Sequence, residues 1–289
     1  MRDLSLMTWN EVKETDKQKS IVFIVMAPIE EHGRHLPLAT DLIEGEYWSR
    51  ETMKATEERL GLECFYLPSF PVASATVNEF YGSIHFTMRT TYETAYAILD
   101  SIRCMGFRHI IVIASHADPQ HQIAVEKAVR KINKKHGTCV IAPMGPIFMG
   151  VSAVKSEGRL EELEKQHGND YHAGWIETSS LLDIDMKYVR PCYRKLPDTR
   201  ITDKDMIFRK RQIRAMGDYG YIGSPQYATA EIGKELNEQC VASLCEAVER
   251  FYHRDGYREY SDYSLYKILP LHIGFLRIAG KIRRKKVAE

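Results

Sequence analysis

The sequence has no long hydrophobic run and no strong imbalance of charge. Its 289 residues include 40 Lys and Arg against 39 Asp and Glu, which gives a formal net charge of +1. A chain this close to neutral has no overall field that would recruit nucleic acid or a membrane surface. The most apolar run, Ile21 to Pro28, is about 8 residues long, far short of the ~20 that cross a bilayer. These absences favour a small-molecule ligand.

Cysteine is sparse and scattered. The six Cys residues include no C-x-x-C pair, so the sequence indicates neither a structural zinc knot nor a redox motif. We interpret them as buried thiols in a reducing compartment. Met1 to Lys13 alternates polar and apolar residues and lacks the basic and apolar regions of a signal peptide, so we expect a cytoplasmic protein.

Strand and helix patterns alternate through the first half of the chain. Ser20 to Ala27, rich in β-branched residues and followed by Pro28, predicts a strand that is buried on both faces. Further strands are predicted at 64–67, 109–114 and 138–142, and helices at 42–58, 92–105, 120–136 and 157–166. This order predicts an α/β fold with a mostly parallel sheet covered by helices on both sides, which binds ligands beyond the carboxyl ends of its strands.

The second half is less regular. Residues 183–225 are rich in charge, Pro and Gly, and we expect irregular surface structure that covers the site or meets a neighbouring subunit. A last amphipathic helix is predicted at 229–252. We expect one domain over 1–255 and an extension over 256–289, whose basic run at 281–286 is interpreted as a solvated terminus.

The densest group of ligand-type residues directly follows the first buried strand, between Pro28 and Asp41. In an extended segment Glu30 and His32 point the same way, so one metal centre can contact both, while Glu31 points elsewhere. Asp41 can return with a carboxylate that bridges two cations. Such mixed ligands suit Zn, Mn or Fe(II). The alternative is a polar loop with capping carboxylates and surface histidines.

Two later segments carry residues of the same kind. His116 and Asp118 follow another buried strand with the same spacing of two, at the same predicted edge of the sheet. His172 and Glu177 form a possible acid/base pair near a turn of small residues. Taken alone, each segment is also compatible with a structural histidine or the start of a helix. Their agreement with the first segment favours a metal site.

These segments resemble a known family. The string from Glu30 to Asp41, Glu-Glu-His-Gly-Arg-His-Leu-Pro-Leu-Ala-Thr-Asp, closely resembles the creatininase-family motif Glu-Gln-His-Gly-x-His-Leu-Pro-x-x-x-Asp. The string from His172 to Ser179, His-Ala-Gly-Trp-Ile-Glu-Thr-Ser, resembles the later signature of that family. Weaker matches extend the resemblance over roughly residues 5–250. The chain is thus identified as similar to metal-dependent amidohydrolases.

The resemblance implies a single three-layer α/β/α domain with a dinuclear centre, usually in a homo-oligomer, often a hexamer. Glu30 and His116 would bind one ion, His32 the other, and Asp41 would bridge them. Asp118 falls where creatinine-hydrolysing members place a glutamate ligand to the second ion, and its shorter side chain puts filling of both sites in question. Glu177 is assigned to metal binding or proton transfer, and His172 to acid/base chemistry or substrate contact.

Departures from the family pattern concern the substrate side. Ser74-Ala-Thr-Val77 stands where relatives often show Ser-x-Glu-His, and Ala114-Ser-His-Ala-Asp-Pro replaces a glycine-rich string. We therefore expect a substrate other than creatinine, with Ser74 on the substrate side. Trp175 offers an aromatic wall for a planar ligand, with a buried core position as the alternative.

The predicted reaction is hydrolysis of a linear or cyclic amide C–N bond by metal-activated water, with about two divalent ions (Zn, Mn or Fe) per chain. Ring opening of a cyclic ketone or keto-sugar is the enzymatic alternative. A non-catalytic metal-binding protein is a further one, against which the intact ligand set argues. Nucleic-acid binding would rest on the basic tail alone, and we expect none.

Overall fold

A five-stranded parallel sheet forms the centre of the fold. The computed structural model describes residues 1–75, 80–137, 139–148, 158–202 and 208–261. The strands are β1 (Arg2–Asp3), β2 (Ser20–Val25), β3 (Glu63–Tyr66), β4 (Ile110–Ile113) and β5 (Val140–Ile141), in the order β1-β3-β2-β4-β5. Every residue of the central strand β2 is buried, which accounts for the unbroken apolar run from Ile21 to Val25.

Helices cover both faces of this sheet. They are α1 (Trp9–Glu14), α2 (Thr40–Leu60), α3 (Met88–Cys104), α4 (Pro119–His136), α5 (Met144–Phe148), α6 (Arg159–His167), α7 (Trp175–Ile184), α8 (Arg209–Met216) and α9 (Ala230–His253). Helices α2, α7 and α9 pack together, and α3 packs on α4. The chain moves one way along the sheet from β2 to β3 and the other way from β3 to β4. Right-handed crossovers therefore put α2 and α3 on opposite faces. The three-layer α/β/α prediction is confirmed.

The apolar residues of the sheet and its helices form one main core. Among its fully buried side chains are Phe23, Phe65, Phe107 and Phe251. A second, smaller cluster lies around α7 and includes Trp175 and Tyr221. In the register between the two central strands, Val25 pairs with Ile113, so β2 and β4 end side by side. This pairing places the loops that follow them at one edge of the sheet.

The predicted elements and the observed ones differ in a few places. Residues 183–225 were expected to be irregular, but they contain α8 and three short 3-10 helices, Met186–Tyr188, Pro191–Lys195 and Pro225–Tyr227. The short edge strand β1 was not predicted. Helix α3 begins at Met88, four residues early, because the Thr87 hydroxyl accepts a bond from the Thr90 N–H at 2.9 Å. The basic run at 281–286 lies outside the described residues.

None of the described helices combines the length and the apolar character needed to cross a membrane.

Candidate metal centre

Two loops at the carboxyl ends of neighbouring strands build the site. One follows β2 and carries Glu30 and His32, and the other follows β4 and carries His116. Between these strands the direction in which the chain moves along the sheet reverses. A reversal of this kind leaves a crevice beyond the strand ends, which is the usual ligand position in open α/β sheets.

The loop between β2 and α2 folds back on itself, which brings Asp41 close to Glu30. The Glu30 N–H donates to the Leu38 carbonyl at 2.9 Å. Asp41 lies in the first turn of α2, where the helix dipole favours a negative charge. The Ser115 hydroxyl donates to the Asp41 carbonyl at 2.7 Å and ties the β4 loop to the same helix.

Glu30, Asp41 and His116 form the first group of possible metal ligands, with one ligand atom of each within 4.8 Å of the others. His116 Nε2 lies 3.5 Å from Glu30 Oε2, and His116 Nδ1 lies 3.2 Å from Asp41 Oδ2. All three residues are buried. The Gln122 amide fixes this loop by donating to the Ala114 and His116 carbonyls, at 2.6 Å each.

His32, Asp41 and Glu177 form a second group of the same kind. His32 Nε2 lies 3.5 Å from Asp41 Oδ1 and 3.8 Å from Glu177 Oε2. Asp41 thus faces His116 with one carboxylate oxygen and His32 with the other. This is the arrangement of a carboxylate that bridges two cations.

Several buried polar atoms in this centre have no hydrogen-bond partner. They are Glu30 Oε2, His32 Nε2, Asp41 Oδ2 and His116 Nε2. Each unpaired buried polar atom costs roughly 1–3 kcal/mol, so a cluster of them is unfavourable unless a ligand binds there. Carboxylate oxygens and imidazole nitrogens are donors that Zn, Mn and Fe(II) accept. The residues therefore fit a pair of divalent cations.

The pKa values of these groups are strongly coupled. Burial raises the pKa of Glu30 to about 7 against the opposing effect of the nearby imidazoles. Burial alone would lower the pKa of His116, but the Glu30 and Asp41 carboxylates raise it to about 10. Burial acts to raise the pKa of Asp41, yet His32 and His116 hold it well below its ordinary value. Without cations, protons on the imidazoles therefore compensate the buried carboxylates.

His172 lies directly beside this centre. Its ring is 4.6 Å from the ring of His32, centroid to centroid. Its Nε2 donates to the Glu31 carbonyl at 2.8 Å and lies 3.3 Å from Glu31 Oε1. Burial and His32 act to lower the pKa of His172, but Glu31 raises it above its ordinary value. Glu31, expected to point elsewhere, is buried and contacts His172.

Glu177 reaches the centre from the first turn of α7. Its Oε2, the atom near His32, accepts a hydrogen bond from the Ala173 N–H at 2.5 Å. Ala173 has a φ of 49°, in the left-handed region that residues other than glycine rarely adopt. A further carboxyl, Glu44 on α2, is buried nearby, where burial and the Glu177 carboxylate raise its pKa well above the ordinary value.

Asp118 belongs to none of the three groups of possible ligands found among the described residues, the third being Glu30, His32 and His172. Its Oδ1 accepts a hydrogen bond from the Gln120 N–H at 2.7 Å and so caps α4. In the structure it is Glu177, rather than Asp118, that lies next to His32 and Asp41. The short Asp side chain suits the helix cap.

Two residues predicted to lie on the substrate side are fully buried. Trp175 is inaccessible in the cluster around α7, and its indole N–H donates to the His167 carbonyl at 3.0 Å. It is therefore a core residue and offers no aromatic wall to a ligand. The Ser74 hydroxyl is buried without a hydrogen-bond partner. Thr76 and Val77, which follow it, lie outside the described residues.

The sequence contained a signal for each of the two carboxylates that our sequence analysis missed. Glu44 stands three residues after Asp41, a spacing that puts both on one face of α2. Glu31 stands inside the densest group of ligand-type residues. Glu30 and His32 share one group of possible ligands, as their spacing predicted, whereas Glu31 lies outside these groups and its Oε2 accepts a hydrogen bond from the Gly33 N–H at 3.0 Å.

Comparison with known proteins was made for both sequence and structure. A family model described as creatininase, creatinine amidohydrolase, matches residues 5–248. No curated protein matches the chain.

Several solved structures share the fold. A Bacteroides fragilis NCTC 9343 protein assigned as a creatinine amidohydrolase has a TM-score of 0.67 at 21% identity, covering 88% of this chain and 98% of its own. A creatininase with Mn has a TM-score of 0.65 at 18% identity, with coverage of 86% and 97%. A creatininase variant of the Zn–Zn type has a TM-score of 0.62 at 17% identity, with the same coverage.

Proposed function

Because this chain belongs to the creatininase family of metal-dependent amidohydrolases, we propose that it hydrolyses an amide C–N bond of a small molecule with the help of two divalent ions. The observation that carries the proposal is the position of Asp41. Its two carboxylate oxygens face two different imidazoles, His32 and His116, at 3.5 and 3.2 Å. A carboxylate between two sets of donors supports a site for two cations, because it offers one oxygen to each set.

Glu30, Asp41 and His116 would hold one ion, and His32, Asp41 and Glu177 the other. The related structures of a Mn creatininase and of a Zn–Zn creatininase variant support Mn or Zn as the metals. When bound, the ions supply Lewis acidity, which polarises a carbonyl and makes water a nucleophile at neutral pH.

We assign proton transfer to His172. Its Nε2 is occupied as the donor to the Glu31 carbonyl, which leaves Nδ1 with a lone pair. In the proposed reaction water adds to the amide carbon and gives up a proton to His172. His172 then delivers that proton to the departing nitrogen as the C–N bond breaks, and the second proton of the water also passes to the amine, so that the products are a carboxylate and a protonated amine. The hydrogen bond to Glu31 keeps the ring oriented in both steps.

The substrate is proposed to be a linear or cyclic amide other than creatinine. The support lies in the residues that replace the family pattern at two places, Ser74-Ala-Thr-Val77 and Ala114-Ser-His-Ala-Asp-Pro. A screen should therefore include cyclic amides, formamides and, for the ring-opening alternative, keto-sugars. Turnover of keto-sugars alone would replace the amidase proposal with that alternative.

Elemental analysis of protein purified without chelator tests the metal centre. We expect about two transition-metal ions per chain in the wild type, about one in His116→Ala and in His32→Ala, and almost none in Asp41→Ala. Asp118→Ala serves as the matched control and should keep both ions, because Asp118 caps a helix. A wild-type protein without metal, or full hydrolysis by Asp41→Ala, would refute the proposal.

A further inference from the structure

Asp170 is a carboxylate that the proposed reaction does not use. Its Oδ2 accepts hydrogen bonds from the N–H groups of Trp175 at 2.7 Å and Ser224 at 3.4 Å. Its Oδ1 accepts one from the Ile176 N–H at 3.3 Å. Trp175 and Ile176 are the first two residues of α7, the helix that carries Glu177. Asp170 therefore joins two separate loops to the start of that helix.

These bonds replace the usual cap of the helix. Residues at the N-cap position normally satisfy the first helical N–H groups with their own side chain. In α7 this position is occupied by Gly174, which has no side chain to do so. Asp170 satisfies the N–H groups from four residues further back, and burial raises its pKa to about 7 against the opposing effect of these backbone hydrogen bonds.

The backbone at Gly174 and Gly223 approaches Asp170 too closely for any residue larger than glycine. A Cβ atom on Gly174 would lie 1.9 Å from Asp170 Oδ2, and one on Gly223 would lie 2.5 Å from the same oxygen. Both distances are below any real contact between such atoms. The two glycines thus leave the space that lets one carboxylate reach three backbone N–H groups.

This tight closure coincides with the left-handed backbone of Ala173. Between Asp170 and Trp175 the chain bends at Ala173 and Gly174, and Ala173 takes a φ of 49° within that turn. In this conformation the Ala173 N–H donates to Glu177 Oε2 at 2.5 Å. That oxygen is the one 3.8 Å from His32 Nε2. A continuous chain of hydrogen bonds and backbone therefore leads from Asp170 to the donor atom of Glu177.

We propose that Asp170 is a positioning residue for the second metal position, the one formed by His32, Asp41 and Glu177. It acts by fixing the Asp170–Trp175 turn, so that Ala173 directs the Glu177 carboxylate toward His32. The first position, formed by Glu30, Asp41 and His116, receives no residue from this turn and does not depend on it. The inference rests on the proposed metal-dependent function, but it makes a separate statement about which of the two ions depends on Asp170.

Calorimetric titration of chelator-stripped protein with Mn²⁺ tests the proposal. The wild type should show two sites. In Asp170→Asn the side-chain NH2 group would face backbone N–H groups, and two donors cannot form a hydrogen bond. The affinity of one site should therefore weaken by about tenfold or more, and that of the other should change by less than about twofold. Asp185→Asn is the control, because Asp185 accepts a backbone bond from Lys187 at 3.0 Å at the opposite end of α7. It should keep both sites.

A second variant separates positioning from loss of fold. Glycine adopts the left-handed region without strain, so adding Ala173→Gly to Asp170→Asn should restore part of the weakened Mn²⁺ site. Because this glycine also relieves backbone strain, urea unfolding of both variants must show that the recovered Mn²⁺ affinity exceeds what their difference in stability explains. Two unchanged sites in Asp170→Asn, or equal loss of both sites in a folded variant, would overturn the inference alone. Absence of Mn²⁺ binding in the wild type would overturn the proposed function and the inference with it.

Discussion

His172 Nε2 contacts Glu31 twice, through the main-chain carbonyl at 2.8 Å and the carboxylate at 3.3 Å. The carbonyl is available whatever residue stands at position 31, whereas the carboxylate depends on Glu. The two contacts can therefore be separated by mutation. The carbonyl orients the ring, and the carboxylate favours the protonated form of the imidazole.

We predict that Glu31→Gln lowers the pKa of His172 without moving its ring. The variant keeps an oxygen that can accept the Gly33 N–H but removes the charge that raises the pKa. NMR titration of the His172 ring in metal-free wild type and variant gives the measurement. Hydrolysis should fall by about tenfold, since proton transfer contributes roughly 10²–10⁴-fold and the Nε2–carbonyl bond remains. An unchanged pKa would contradict the prediction.

Metal binding should become stronger as pH rises and should release protons. In the metal-free protein the pKa of His116 is about 10, and that of His32 also lies well above its ordinary value. A metal binds the neutral imidazole, so protons compete with the metal below these pKa values. The affinity for the metal should fall by up to about tenfold per pH unit for each proton released. Calorimetry in buffers of different ionisation enthalpy at several pH values measures the released protons. Metal binding without proton release would contradict this prediction.

Stability of the metal-free protein should fall in acid because of His35. Burial lowers the pKa of His35 to about 4, and its Nε2 lies 2.9 Å from the Thr178 hydroxyl oxygen. Below a pH of about 6.5 the unfolded chain binds a proton at this residue that the folded protein does not bind until about pH 4. The contribution of His35 to the free energy of unfolding should therefore drop by about 3 kcal/mol across that range, at ~1.4 kcal/mol per pKa unit.

Urea unfolding at a series of pH values measures this loss in the presence of chelator. In His35→Gln, which cannot titrate but can still bond Thr178, the slope between pH 6.5 and pH 4 should be shallower. The same slope in both proteins would assign the acid sensitivity to other groups.

Gly45→Ala should destabilise the protein and disturb the metal centre. A Cβ atom there would lie 2.2 Å from the Ser115 hydroxyl, which donates to the Asp41 carbonyl. Overpacking of this kind costs about 1–3 kcal/mol, so the midpoint of urea unfolding should fall accordingly. Adding Ser115→Ala removes the closest atom and should recover part of the loss. A Gly45→Ala protein as stable as wild type would show that α2 can move away from the β4 loop.

Much of the fold could be predicted because it depends on local patterns. Buried β2 and β4 are short β-branched runs, and α2 and α9 have the spacing of amphipathic helices with recognisable ends. Helix α8 was missed because its sequence, Arg-Lys-Arg-Gln-Ile-Arg-Ala-Met, is short and mostly charged or polar and lacks a capping side chain. Nothing local distinguishes it from a charged loop.

The ligands that the structure brings together at the site lie in the predicted strand-end loops and at the starts of α2 and α7, and their grouping agrees with the division between two ions that the resemblance implied. Glu30, His32, Asp41 and His116 were all identified from spacing and resemblance. The sequence does not show that Glu177 rather than Asp118 lies beside His32, because that depends on how the Asp170–Trp175 turn packs against the first loop. Trp175 was ambiguous for the same reason, since burial depends on neighbours that are distant in the chain.

The separation of the metal donors along the chain has a consequence for folding kinetics. Glu30 and Asp41 come from the β2 loop, and His116 comes from the β4 loop, so they meet only when β4 has docked beside β2. Loop closure over such a distance is among the slower steps of folding. High-affinity metal binding should therefore appear late in refolding, together with the formation of the β2–β4 pair. The time course of metal binding then reports when this pair forms.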